Sequence, residues 1–246
     1  MNVRSLKAVC AVSIALNVLG AALATFVVMR KGGIGYLTRY TEILRGEASS
    51  IETFPVYYQQ RLSTFWGEPV AAPGSVVLVG DSLTEEHDFT GVCGAAPVVN
   101  RGISADTTVG VLFRVPEIAR HRPAAALVMI GIADLRIGRS PARVAETYEE
   151  VLVALRSRSP QTKLVVQSVL PIDPKRFGSE IDPASVVELD RRLAEVARRQ
   201  GATYLDLFPA FARGNVLADE LSKDGVHLTE PGYRLWHERI AQLGCP

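Results

Sequence analysis

The sequence predicts an α/β fold built on a five-stranded parallel sheet, and two features carry the prediction. Short apolar runs of strand type recur at residues 76–79, 98–99, 126–130, 164–169 and 204–207. Between them lie segments with apolar residues three or four apart, at 108–120, 142–156, 184–200 and 232–243. Strand alternating with helix is the pattern of a parallel sheet covered on both faces. Five such strands suit a three-layer α/β/α domain of flavodoxin-like type.

Taken from the N-terminus, the chain first presents a segment of another kind. Arg4 and Lys7 precede an uncharged run, residues 8–29, in which Ser13, Asn17 and Thr25 are the clearly polar members, and Arg30 and Lys31 close it. A run of ~20 apolar residues can span a bilayer as a helix, and this one lacks the polar face of a packed surface helix. A transmembrane helix is therefore expected within residues 1–33, as an anchor that leaves the globular part outside the cytoplasm. Ala22-Leu23-Ala24 is the small-x-small pattern that signal peptidase reads. Secretion after cleavage is thus the alternative, although the apolar run continues through Val28.

Residues 34–72 read as a helical lead-in with two amphipathic stretches, at 36–45 and 56–66 ("VYYQQRLSTFW"). Pro73-Gly74 then punctuates the chain and opens the main domain, residues 73–246.

The bulk numbers exclude several classes. The chain has 246 residues, 48% hydrophobic and 22% charged, enough for one domain with a sizeable core. A formal net charge of +1 and the lack of Lys/Arg runs give no footprint for nucleic acid. Cys10 lies in the apolar segment; Cys93 and Cys245 lie in the globular part, where an exported protein can pair them or leave them as separate thiols. His87, His121, His227 and His237 form no HExxH pattern, and no Cys/His cluster has zinc spacing. No metal and no organic cofactor is implied.

The chemistry-bearing residues stand at two places. The first is "SVVLVGDSLTEE", where an apolar strand stops at Gly80 and Asp81-Ser82 follow at once. In parallel sheets the working residues gather at the C-terminal strand ends. A serine hydroxyl is a weak nucleophile that needs a base and a group to orient that base. The second stretch supplies candidates for both: in "SKDGVHLTEPGY", Asp224 precedes His227 by three positions, just before a helix that Thr229, Glu230 and Pro231 open. A carboxylate at that spacing can return to one imidazole nitrogen and leave the other free.

Four stretches, "VVLVGDSLTE", "VVNRGISADTT", "LVMIGIADL" and "DGVHLTEPGY", resemble the four sequence blocks of the SGNH, or GDSL, hydrolases, closest to the bacterial acetylhydrolase and lysophospholipase-like branch. The resemblance implies Ser82 as nucleophile, His227 as general base and then acid, and Asp224 as the orienting carboxylate. It implies the backbone N–H groups of Ser82 and Ala105 as donors to an oxyanion. The chain departs from the family at two of its four signature positions: Ala105 stands for the glycine and Ala133 for the asparagine. Alanine keeps the backbone N–H at 105, and does so without strain provided the backbone there does not need positive φ; Ala133 offers no side-chain donor. Asn100, Ser104, Thr107 and Arg136 are candidates to replace it. Loss of one such donor costs on the order of 10²–10³ in rate.

The structural readings of the neighbours are equally specific. Asp81 is expected to hold the turn, Asp106 with Thr107 and Thr108 to form a helix N-cap, and Asp134 to order its loop. His87 is expected at the cleft rim, His237 in packing or at the surface, and His121 at a helix end. The 173–185 loop is expected to border the cleft, with Lys175 and Arg176 in solvent. The function implied is a membrane-anchored, extracytoplasmic serine esterase acting on a small acyl ester, such as an O-acetyl group on a glycan or envelope component. An O-acyltransferase of the same fold and a degenerate glycan- or protein-binding domain are the rivals.

Overall fold

The computed structural model describes residues 3–30, 33–48, 50–178 and 181–244. Its centre is a five-stranded, all-parallel sheet of order β2-β1-β3-β4-β5. The strands are β1 (Val76–Gly80), β2 (Val98–Gly102), β3 (Ala125–Met129), β4 (Lys163–Gln167) and β5 (Thr203–Leu205). Val76 pairs with Val98 on one side and Ala125 on the other, so β1 is central and its tip opens between two neighbours. Each apolar run expected as a strand is one. β5 stops at Leu205 because the Ser168 hydroxyl accepts the N–H groups of Leu207 (2.8 Å) and Phe208 (3.0 Å), which draws the chain out of the ladder.

The pleat divides the core into two layers. Val77, Val79, Ala126, Val128, Leu164 and Val166 face α5 (Thr108–Ala119), α7 (Pro141–Arg158) and α9 (Pro183–Arg199). Val76, Leu78, Ala125, Leu127 and Val165 face α11 (Glu230–Leu243), with Phe89, Phe211 and Trp236. The three-layer α/β/α expectation holds. The helices lie within two or three residues of the stretches that the periodicity marks, each with a local reason to start. Thr107, Ser140, Asp182 and Thr229 accept backbone N–H groups at their N-termini, and Pro stands in the first turn of α7, α9 and α11.

Shorter elements were not foreseen: α4 (Ser82–Glu85), α6 (Ile132–Arg136), α8 (Pro174–Phe177), α10 (Phe208–Phe211) and a hairpin of β6 (Ala212–Arg213) and β7 (Val216–Leu217). Each is too short to show a period.

The lead-in folds as α2 (Ile34–Arg45) and α3 (Val56–Gly67). Phe54, Tyr58, Leu62 and Phe65 form a separate apolar cluster with Ile103 and Val109, and the Tyr58 hydroxyl donates to the Gly110 carbonyl at 2.7 Å.

The first helix, α1 (Val3–Arg30), follows the apolar run. Among the described residues no helix is long and apolar enough to cross a membrane, so the expected transmembrane helix is not found. The described side chains of α1 stand exposed, and Ser13, Asn17 and Thr25 interrupt the apolar ones. Cys93 is disulfide-bonded; Cys245, the partner considered from the sequence, lies outside the described residues.

Candidate active site

At the tip of β1 the chain turns sharply into α4. Asp81 caps that turn, accepting the Leu83 N–H on Oδ1 at 3.1 Å. Burial pushes its carboxyl up to about 6. The expected structural role for Asp81 is the observed one. Ser82 is thereby the first residue of α4, partly exposed at the C-terminal edge of the sheet.

His227 approaches from near the opposite end of the sequence. Ser82 Oγ lies 3.1 Å from Nε2 of His227. The other ring nitrogen, Nδ1, lies 2.7 Å from Oδ2 of Asp224. Asp224 Oδ1 accepts the backbone N–H groups of Val226 (3.0 Å) and His227 (2.8 Å), so the carboxylate closes a local turn around the residue it orients. Burial pushes the Asp224 carboxyl up, but these hydrogen bonds outweigh it and hold the group below its ordinary value. Oε1 of Glu86 stands 3.8 Å from Nε2 of His227, beside the serine.

The loop bearing Asp224 is braced from outside. Ser222 Oγ accepts the Gly225 N–H at 2.7 Å, and Ser222 bridges to Leu228. Arg176 Nη1 pairs with Asp219 at 2.9 Å, and its Nη2 donates to the Lys223 carbonyl at 3.1 Å. Arg176 is exposed, as expected, and is also half of this brace, a pairing across 43 residues that no local pattern reveals.

Helix α11 seats His227. Trp236 Nε1 donates to Gln167 Oε1 of β4 at 2.7 Å, and the Tyr233 hydroxyl donates to the Leu83 carbonyl at 3.1 Å. α4 and α11 are thus bonded at Leu83, one residue after Ser82.

Two buried ion pairs shape the opposite wall. Arg114 Nε donates to Asp106 Oδ2 at 2.9 Å, and its Nη2 donates to the Gly80 carbonyl at 3.2 Å. Arg139 Nη1 donates to Asp134 Oδ1 at 2.5 Å, while Asp134 also accepts the N–H and hydroxyl of Thr108, both at 2.8 Å. Within the expected N-cap of Asp106, Thr107 and Thr108, Thr107 is the cap residue and Asp106 accepts its N–H at 2.8 Å. Asp134 orders its loop, as expected. Burial raises both carboxyls, Asp106 to about 7.

Between these walls is a cavity of about 190 Å³. It is lined by Ser82, His227, Ala105, Ala133, Glu86 and Arg136, with Ser104 and Asp81, and by Ile132, Phe177 and Val226 as an apolar side. Ala105 and Ala133 are thus both beside Ser82. The Ala105 backbone has φ +61°, the left-handed region. A glycine takes that conformation freely, whereas an alanine there is strained. The condition set on Ala105 by the sequence is not met: its N–H is kept, at the cost of backbone strain.

Four residues were considered as substitute donors. Ser104 and Arg136 line the cavity. Ser104 gives its N–H and hydroxyl to Glu85 Oε2, at 2.6 and 2.5 Å. Asn100 is bound to the carbonyls of Thr84 and His87 and to the Gly102 N–H. Thr107 caps α5. His87 does not line the cavity: its Nε2 lies 3.0 Å from Nε2 of His237, and its ring stacks on Tyr233 at 4.0 Å. His121 is buried, bonded to the Ala71 N–H, Glu117 and Arg101. Phe177 is what the 173–185 loop gives to the cleft.

Sequence reasoning missed Glu85. It holds the Ser104 loop, accepts from the Tyr57 hydroxyl at 2.7 Å and pairs with Arg61 at 2.6 Å, so the lead-in α3 is tied to the site. Its place three residues after Ser82, on the same helical side, was the available signal.

The fold recurs in known structures. A GDSL-like lipase from Bacteroides thetaiotaomicron superposes with TM-score 0.66 at 22% identity, over 76% of this chain and 96% of that one. A lipase/acylhydrolase from Enterococcus faecalis gives 0.59 at 21%, over 69% and 94%. A member of the lipolytic G-D-S-L family from Veillonella parvula gives 0.57 at 20%, over 70% and 98%. Among curated proteins, none matches this chain. The family model of the GDSL-like lipases and acylhydrolases matches residues 66–235. That match takes in the β1 tip and the Asp224–His227 loop alike, and by it the chain belongs to the GDSL-like lipase/acylhydrolase family, as an ester-hydrolysing enzyme.

Proposed function

We propose that the chain is a serine esterase that removes a small acyl group through an acyl-enzyme. The observation that carries the reading is the unbroken hydrogen-bonded series Asp224–His227–Ser82 ending in the cavity. In this reading Ser82 Oγ attacks the ester carbonyl and its proton passes to His227 Nε2. Asp224 holds Nδ1–H and stabilises the imidazolium. The oxyanion takes the N–H groups of Ser82 and Ala105. His227 returns the proton to the departing alkoxide, and a water that gives its proton to His227 then releases the acid. The small cavity, below the usual size of a ligand pocket, supports a short acyl group. An O-acetyl group on a glycan or envelope component fits that size.

Membrane attachment and an extracytoplasmic site belong to the same proposal. Their support is the sequence, the uncharged run at 8–29 bracketed by cations; fractionation of cells with and without residues 1–33 tests them. Transfer of the acyl group to a sugar hydroxyl uses the same steps with another acceptor.

A second reading, a binding domain that no longer turns over, is favoured by Ala133 and by the strained Ala105. The experiment is p-nitrophenyl acetate hydrolysis by the full chain and by Ser82→Ala, beside labelling with a fluorophosphonate. Turnover and labelling that vanish in Ser82→Ala support the esterase. Wild type equal to Ser82→Ala in both favours the binding domain.

A further inference from the structure

We propose that Arg136 binds a carboxylate that the substrate carries close to its scissile ester, so that the enzyme takes anionic rather than neutral esters. The proposal rests on the esterase reading of the same cavity.

Arg136 follows Ala133 by three residues in α6, so the two side chains rise on one side of the helix. Both line the cavity with Ser82. Position 133 carries a methyl group, and one helical step further along that side stands the Arg136 guanidinium. The arginines around it are committed: Arg114 to Asp106, Arg139 to Asp134 and Arg176 to Asp219. Arg136 has no ion pair or hydrogen bond among the described residues, and it is exposed. It is a permanent charge whose planar donors match a carboxylate.

The same cavity lining also carries the opposite sign, on Glu86. Glu86 lies 3.8 Å from His227 Nε2, on the side where the leaving group must receive its proton. An anion beside Glu86 is repelled and one beside Arg136 is attracted, which draws the carboxylate towards α6. The single cation matches a monoanion. A phosphate dianion would bring a second charge against Glu86 with no cation to meet it. Ile132, Phe177 and Val226 give the short carbon chain between ester and carboxylate an apolar surface. The carboxylate can stand on the acyl half, as in a dicarboxylic hemiester, or on the alcohol half, as in an acetylated hydroxy acid.

The test is binding to the full-length Ser82→Ala protein, which cannot form an acyl-enzyme. Two pairs of ligands are titrated by NMR: monomethyl succinate against dimethyl succinate, and O-acetylglycolate against its methyl ester. The anionic member of at least one pair is expected to bind about tenfold more tightly, a difference typical of one charge-assisted contact. Arg136→Gln removes the preference, and Arg136→Lys keeps part of it. The succinate pair reports a carboxylate on the acyl half, the glycolate pair one on the alcohol half. Equal or undetectable binding of both members in both pairs, or a preference that survives Arg136→Gln, overturns the proposal. Turnover of the same esters by wild type tests the esterase reading separately. Anion preference in binding without turnover sinks the esterase and keeps the Arg136 site; turnover without preference does the reverse.

Discussion

Arg114 joins Asp106 to the tip of the central strand: one nitrogen pairs with the carboxylate at 2.9 Å and another donates to the Gly80 carbonyl at 3.2 Å. The loop carrying Ala105 is thus fixed to the strand that presents Ser82. Both side chains are fully buried. Arg114→Met strands the Asp106 carboxylate in the core and is expected to cost about 3–5 kcal/mol. Urea denaturation measures it. Arg114→Met/Asp106→Leu, which removes both charges, is expected to recover much of the stability, because the loss comes from the unpaired charge.

Ala105→Gly relieves the left-handed backbone. An L-residue there costs roughly 1–2 kcal/mol, while glycine adds about 0.5–1 kcal/mol of chain entropy to lose on folding. The net expectation is a gain of up to about 1 kcal/mol with esterase rate equal or higher. A clear loss of stability would mean that the alanine methyl makes contacts that outweigh its strain.

Ala133→Asn places an amide in the cavity that Ser82 lines. If the oxyanion lacks a third donor, kcat for a neutral ester rises by on the order of 10²-fold with KM little changed. An unchanged kcat would show that the backbone N–H groups already suffice.

Asp190 gives a pH prediction. Its Oδ1 accepts the Val169 N–H at 2.7 Å, while Oδ2 has no partner. Burial pushes the carboxyl up to about 8. The folded chain therefore keeps a proton that the unfolded chain releases near its ordinary value, and stability falls as pH rises between those two values. Above about 8 both states are ionised and the full cost of the buried charge remains. Asp190→Asn keeps the acceptor for Val169 and is expected to flatten this fall, with a gain on the order of 1–3 kcal/mol at pH 9. Thermal unfolding from pH 5 to 9 checks it; parallel curves for both proteins would refute it.

The sheet and its long helices were legible because burial on one face or two writes a period into five to eighteen residues. Ser82 and the Asp224–His227 pair were legible because short local spacings decide their geometry. What was not legible depends on long-range pairing. His87 and His237 are 150 residues apart and face each other. Arg176 looked like a solvated loop residue because its partner, Asp219, comes 43 positions later. The backbone at Ala105 was legible only as a condition, since residue identity does not fix φ.

Asp224 and His227 are bonded to each other and to their own turn, so the two side chains form one prefabricated part. Its distance to the serine is set elsewhere, by how Trp236 and Tyr233 anchor the last helix. The Ser82–His227 distance then depends on the docking of that helix, together with the Arg176 brace on the loop. Moderate heating or a Trp236→Phe change would silence the enzyme by backing the histidine away from the serine, with the turn itself still intact.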